Sequence, residues 1–227
     1  WWPLKKFRSN NPLQVVPNDG YRRVLAYWKG EGPRPSREDA EAALMRFASH
    51  DVRYENNVQH PDVVDALFRA PHSDAPLAFR PHVIGAQGGQ IAAGDFDMGR
   101  NGVAYHDLTP ANQHISDGGE RVVWNPAMTY RNDGVDLGKA ADGSLFVADM
   151  RKGEWLKYTF TVTEPGRYRL LPVTRRAGRL SLALDGQAAA EIVPGATVDL
   201  QPRAGPQTLQ VRAESDGIDL ETLRFSR

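Results

Sequence analysis

Two hydrophobic periods divide the chain near residue 80. Over residues 1–80 apolar side chains recur at helical spacing. Tyr21, Val24, Leu25 and Trp28 fall at i, i+3, i+4 and i+7 behind Pro17-Asn18-Asp19, a helix-starting stretch. Ser36 with Asp39 resembles a capping box, Asp standing where Glu or Gln is usual, and Ala40, Ala43, Leu44 and Phe47 repeat the same spacing. A third helix is predicted from Pro61, carrying Val63, Val64 and Leu67 until Pro71 stops it. Three helices this short bury little by themselves, so residues 1–70 read as the helical part of a larger body.

Residues 71–82, with Pro71, Pro76 and Pro81 among small and polar neighbours, read as a linker. Beyond it the period becomes two. Leu156, Tyr158, Phe160 and Val162 alternate with Lys157, Thr159 and Thr161, and Tyr168 and Leu170 alternate with Arg167 and Arg169. Leu180, Leu182 and Leu184 follow the same rule, as do Leu209, Val211 and Ala213. Alternation of this kind belongs to antiparallel sheets with one buried face. Asp133-Gly134, Asp142-Gly143, Pro165-Gly166, Asp185-Gly186, Ala204-Gly205 and Asp216-Gly217 are the turns between the runs. Residues 83–227 are therefore predicted to be one all-β domain, a sandwich, jelly roll or barrel, and the whole chain mostly β with a helical segment in front.

The chain has 227 residues, with 28 basic and 28 acidic side chains and no cysteine. A formal charge of zero, with no basic stripe, argues against a general nucleic-acid or acidic-membrane binder. No apolar run approaches the ~18 residues of a membrane-spanning helix. Without cysteine there is no disulfide framework, thiol nucleophile or cysteine zinc site. The chain opens Trp1-Trp2-Pro3, with neither methionine nor a signal-peptide pattern, and reads as a piece of something longer.

An ordered set of pieces in the second part resembles the family 6 carbohydrate-binding modules, over roughly residues 88–227. The set runs Phe96-Asp97, Gly102-Val103-Ala104-Tyr105-His106-Asp107, Tyr130-Arg131, Val135-Asp136-Leu137, then Gly153-Glu154-Trp155-Leu156-Lys157-Tyr158-Thr159. It continues with Gly166-Arg167-Tyr168-Arg169-Leu170, Ala204-Gly205, Thr208-Leu209, and Leu220, Leu223 and Phe225. The resemblance implies a jelly-roll sandwich, attached to polysaccharide-degrading enzymes, that holds a polysaccharide or oligosaccharide. The start, Trp2-Pro3-Leu4-Lys5-Lys6 and the helix after it, is similar to the end of a family 5 glycoside hydrolase barrel. There a tryptophan at the tip of the last strand stacks under the sugar at the cleavage point, which gives that place to Trp2. The two catalytic carboxylates of such a retaining hydrolase would stand upstream of Trp1. This chain is then not catalytic alone, its own upstream catalytic domain is a partner, and the expected compartment is extracellular or periplasmic.

The family clamps a terminal sugar between two aromatic rings beside an asparagine, and here this chain departs from it. Asp149 stands where a tyrosine or tryptophan precedes the Gly153-Glu154-Trp155 stretch, Pro194-Gly195-Ala196-Thr197 carries no aromatic, and Glu221 aligns with the asparagine. Asp149 and Glu221 remain candidates for binding hydroxyls. Phe146 is either a replacement ring or a core residue. Trp124, in an apparent insertion over 112–129, leans over the sandwich edge, packs against the barrel or serves local packing of the insertion. Tyr105-His106-Asp107 combines ring, base and carboxylate, but no nucleophile accompanies it; it is either a sugar contact or a self-bonded turn. Trp155 points outward by alternation, yet the resemblance makes it part of the scaffold.

The family's structural calcium is held by acidic residues on the first strand. Ala92 and Gly94 stand at those positions, so no side-chain ligand for it remains and no cofactor is expected. His50, His60, His72, His82, His106 and His114 show no metal-ligand spacing; His72 and His82, in the expected linker, read as solvated. Arg175, Arg176 and Arg179 read as a basic hairpin tip. The expected function is thus the C-terminal part of a polysaccharide-degrading glycoside hydrolase with a carbohydrate-binding sandwich. The alternative is a sandwich that binds no sugar and braces the catalytic domain or docks protein. No nucleic-acid or membrane partner is expected.

Overall fold

The computed structural model describes residues 13–109, 130–131 and 134–227. Trp2, Trp124, His114 and Asp133 lie outside the described residues. The chain separates into two compact units, Trp1–Pro61 and Asp62–Arg227.

In the first unit, α1 (Asp19–Trp28) and α2 (Arg37–Arg46) form where the spacing predicts them. Each begins on a side-chain cap: Asn18 Oδ1 accepts the Tyr21 amide, and Ser36 Oγ accepts the Asp39 amide while its own hydroxyl donates back to the Asp39 carboxylate. A π-helical turn, Phe47–Asp51, follows α2 and stacks Phe47 on Tyr21 at 3.9 Å between ring centroids. It also brings Asp51 under α1, where the Asn18 amide and side chain both donate to it. Of the face expected on α1, Val24 is buried and Trp28 is exposed. Two-residue strands β1 (Leu13–Gln14) and β2 (Val58–Gln59) pair antiparallel beside these helices.

The third helix, α3 (Pro61–Phe68), starts and stops as predicted but turns a different face inward. Asp62, Val63 and Asp65 are buried, whereas Leu67 is exposed and Phe68 is 73% exposed. Asp65 sets the rotation. Its carboxylate takes two bonds from Arg69, whose guanidinium also donates to the carbonyls of Ala75 and Met98.

Residues 71–82, expected as a linker, pack along the second unit. Leu77 and Met98 exchange both backbone hydrogen bonds, at 3.0 and 2.7 Å, and the His82 carbonyl accepts the Thr161 amide at 2.8 Å. His82 is accordingly mostly buried rather than solvated. Phe79 lies edge-on to Tyr130 and under Arg131. Proline spacing marks irregular backbone; it does not distinguish a free tether from a segment laid on a sheet.

Among the described residues, twelve strands then build the sandwich. In chain order they are β3 (Val83–Ile84), β4 (Gly89–Ala92), β5 (Tyr105–His106), β6 (Leu137–Lys139), β7 (Leu145–Met150) and β8 (Trp155–Val162). After them come β9 (Tyr168–Arg176), β10 (Leu180–Leu184), β11 (Gln187–Ile192), β12 (Val198–Leu200), β13 (Gly205–Ala213) and β14 (Ile218–Ser226). The first sheet runs β11-β10-β13-β8, with β3 and β5 sharing the far side of β8. The second runs β12-β9-β14-β7-β6, with β4 beside the end of β14. Every pair is antiparallel except β3 with β8.

The alternating residues meet between the sheets: Tyr158, Phe160, Leu209 and Val211 from the first, Tyr168, Leu170, Leu220, Leu223 and Phe225 from the second. Leu220 and Leu223 both point inward although three residues apart, because β14 bulges there and leaves Glu221 without a partner on β9. The β10–β11 hairpin closes through Asp185 (φ 47°) and Gly186 (φ 78°), the two left-handed residues that a tight twisted hairpin needs.

Arg131, 1% exposed, is the one guanidinium in the interior among the described residues. It lies 3.8 Å from the Phe96 ring centroid and 4.3 Å from that of Phe79, and donates to the carbonyls of Gly94, Phe96 and Asp97. Arg131→Met keeps much of the volume and strands those carbonyls. Urea unfolding of this variant should show a loss of about 3 kcal/mol.

Candidate functional site

Three surfaces gather the residues with binding chemistry. The first lies where β7, β9 and β14 meet, and it unites three of the expected residues. The tip of the Phe146 ring lies over Gly138 of β6, so close that a Cβ on Gly138 would stand 2.2 Å from it. Arg175 covers the ring at 5.1 Å from its centroid and reaches to 3.7 Å from Glu221 in the β14 bulge. Asp149, held at φ 51°, and Asp219 share Arg176, at 2.7 and 3.1 Å. Asp219 also accepts the Asp149 amide. Arg175 and Arg176, expected as a loose basic tip, are thus the cations that neutralise this patch. Ala196, in the turn where the resemblance puts the second ring, packs against the core. Phe146 is half-buried, between the two readings its position allowed.

The second surface is the turn after β5. Tyr105 is 5% exposed and edge-on to Phe96, 5.8 Å between centroids, so its ring belongs to the core. Asp107 forms the self-bonded turn: its carboxylate accepts the Thr109 amide at 2.6 Å, and its own amide and carbonyl bond the Asn101 side chain. Glu154 closes the same turn by accepting the amides of Leu108 and Arg151. Burial pushes the Asp107 carboxyl up to about 6, and the nearby Glu154 and Asp136 carboxylates add to the rise against the Thr109 bond and Arg151. Asp136 is pushed up for the same reasons, burial first. Among the described residues, no group of three or more His, Asp or Glu is arranged to hold a metal ion.

The third surface, the outer face of the first sheet, was not assembled from the sequence. Cross-strand register sets His106, Trp155, Arg212, Ser181 and Glu191 in one row across β5, β8, β13, β10 and β11. Lys157, Gln210 and Ala183 form the next row. His106 is thereby brought to 6.2 Å from the Trp155 ring, tilted by 30°. Lys157 Nζ lies 5.1 Å from that ring's centroid and donates to the Val103 carbonyl. Trp155 is half-buried, with its outer side on the surface. Beside it runs a groove of about 450 Å³ over Ala183, Ala188 and Ala190, walled by Gln210, Arg212, Glu191 and Glu214. Ser181 Oγ donates to Glu214 at 2.6 Å, and Arg212 Nε stands 3.8 Å from the same carboxylate. Alternation sends Trp155 outward, which is the one sequence signal for this face; which residues flank it depends on strand order and register.

No family model and no curated protein matches this chain. Solved structures similar to it include carbohydrate-binding modules. One is the C-terminal family 6 module of LamC, a marine laminarinase from Zobellia galactanivorans, at 19% identity over 41% of this chain and 88% of that one, TM-score 0.34. A second family 6 module aligns at 8% identity over 66% of this chain and 98% of its own length, TM-score 0.41. The third, from Clostridium stercorarium and in complex with cellobiose, aligns at 10% identity over 65% and 98%, TM-score 0.41. Scores and identities are low, and the fold rests on the strand order and register given above.

Asp107 yields a pH test. Its folded-state pKa, about 6, lies above the ordinary 3.8, so the stability it contributes is complete below 3.8 and is lost as pH rises through 6. Asp107→Asn keeps the Oδ1 acceptor for Thr109. It should flatten the fall in unfolding free energy between about pH 4 and about pH 7, read by denaturant melts across that range.

Proposed function

We propose that residues 62–227 form a carbohydrate-binding module and that a glycan chain lies along the outer face of the first sheet. One observation carries this reading: the half-buried Trp155 ring stands in register with Arg212, beside an open groove whose Gln210 amide has no side-chain hydrogen bond among the described residues. Sugars need an aromatic or aliphatic surface for their C–H faces and planar polar groups for their hydroxyls. Trp155 and the alanine floor supply the first; Gln210, Arg212 and Glu191 supply the second. The ordered family 6-like pieces and the two-sheet sandwich support it.

The wider context is proposed on the sequence resemblance. The module accompanies an upstream polysaccharide-degrading glycoside hydrolase of the retaining type, in a secreted or periplasmic protein, and residues 1–70 are the tail of its barrel with Trp2 at the cleavage subsite. Among the described residues no helix is long and apolar enough to cross a membrane.

A second reading, a sandwich that braces the catalytic domain without binding sugar, is favoured by the Arg176 bridge. Arg176 occupies both Asp149 and Asp219 where the resemblance puts a sugar clamp. Affinity electrophoresis of the 227-residue chain in β-glucan, xylan, mannan and agarose gels separates the two. Retardation by at least one polymer is expected. Trp155→Ala should weaken it by about tenfold, and Phe146→Ala should leave it unchanged. Migration unaffected by every polymer rejects the binding reading in favour of the scaffold.

A further inference from the structure

The strap over residues 77–82 carries a buried histidine that the sugar-binding reading does not use. His82 has 11% of its side chain exposed, and its Nε2 is buried without a hydrogen-bond partner, 3.5 Å from Asp95 Oδ2. Asp95 is already served. The Tyr130 hydroxyl donates to Oδ1, and Arg80 Nε stands 3.6 Å from the same oxygen.

The charges around His82 are of both signs. Asp97 is the second carboxylate; it accepts the amide and hydroxyl of Thr159, and Arg131 and Lys157 act on it electrostatically. The phenol of Tyr158, buried beneath, is neutral, its pKa raised by burial first and then by Asp95. Asp95 and Asp97 draw a proton toward His82 and Arg80 repels it, but the buried Nε2 has no hydrogen-bond partner in place, so an imidazolium would have to give up its water there without a bond to replace it.

We propose that the strap is an acid-released clasp: neutral His82, seated against Asp95, keeps residues 77–82 on the sandwich, and protonation of His82 frees them. The bonds that open are the Leu77–Met98 pair and the one from the Thr161 amide to the His82 carbonyl. Burial lowers the His82 pKa below 6.5, with Arg80 adding to the depression and Asp95 and Asp97 opposing it. A histidine with a depressed folded pKa contributes stability that is complete above 6.5 and lost as pH falls through the folded value. The apolar cluster between the sheets, with Tyr158, Phe160, Leu209 and Leu220 in it, stays folded while the strap lets go.

The test is amide hydrogen exchange by NMR on the full chain at about pH 7.5 and about pH 5, corrected for intrinsic rates, with the His82 imidazole titrated in parallel. Protection at the Leu77 and Thr161 amides should fall about tenfold or more on acidification, while amides of β13 keep theirs. His82→Gln should remove most of that dependence, and the imidazole should titrate below 6.5. The clasp is refuted if Leu77 and Thr161 keep or gain protection in acid, if His82→Gln loses it equally, or if the imidazole titrates at or above 6.5. The titration is made on the unaltered chain and decides the matter even if the variant does not fold.

Discussion

A single guanidinium ties the irregular part of the second unit to its sheets. Arg131 lies between the rings of Phe79 and Phe96, and its donors end on three successive stretches of carbonyl at Gly94, Phe96 and Asp97. Burying such a cation costs several kcal/mol, offset only when nearly every donor finds an acceptor and the ring faces lie against the charge. Here three carbonyls accept from it and two rings lie against it, and these contacts hold the turn from Ala93 to Met98. That turn carries Asp97, which caps Thr159 of β8, and Ala93, whose carbonyl takes the Tyr158 hydroxyl. It also carries Met98, which holds Leu77. Strap and central strand are therefore both anchored on that one turn.

The sandwich was legible in the sequence wherever a strand has one wet face. Leu156 to Val162 and Leu209 to Ala213 alternate without interruption, and they became β8 and β13 in mutual register. Helix starts were legible too, because Asn18 and Ser36 satisfy backbone donors within three residues. Rotation of the helices was not. Apolar spacing put Leu67 inward, whereas the buried face of α3 is decided by Asp65 and its Arg69 partner, a pairing that reaches Met98. The strap was missed for a related reason: what holds it is backbone pairing and one arginine from residue 131.

The candidate binding residues divide along the same line. Phe146, Asp149 and Glu221 were named from position in a resemblance, and the fold unites them, but as partners of Arg175 and Arg176. His106 was named for its neighbours in sequence; its neighbour in space is Trp155. A row across five strands cannot be written down before strand order is known, since a slip of one residue would turn each side chain to the other face.

The way the sheets end bears on life in a crowd. Among the described residues, the first sheet closes on the far side of β8 with β3 and β5, two residues each, and β12 and β6 at the rims of the second have three each. Rims this short offer a passing chain almost nothing to pair with. The longest rim strand, β11, puts the charged Glu191 on its outward side. Copies at high concentration then sit shoulder to shoulder without joining edge to edge into a continuous sheet.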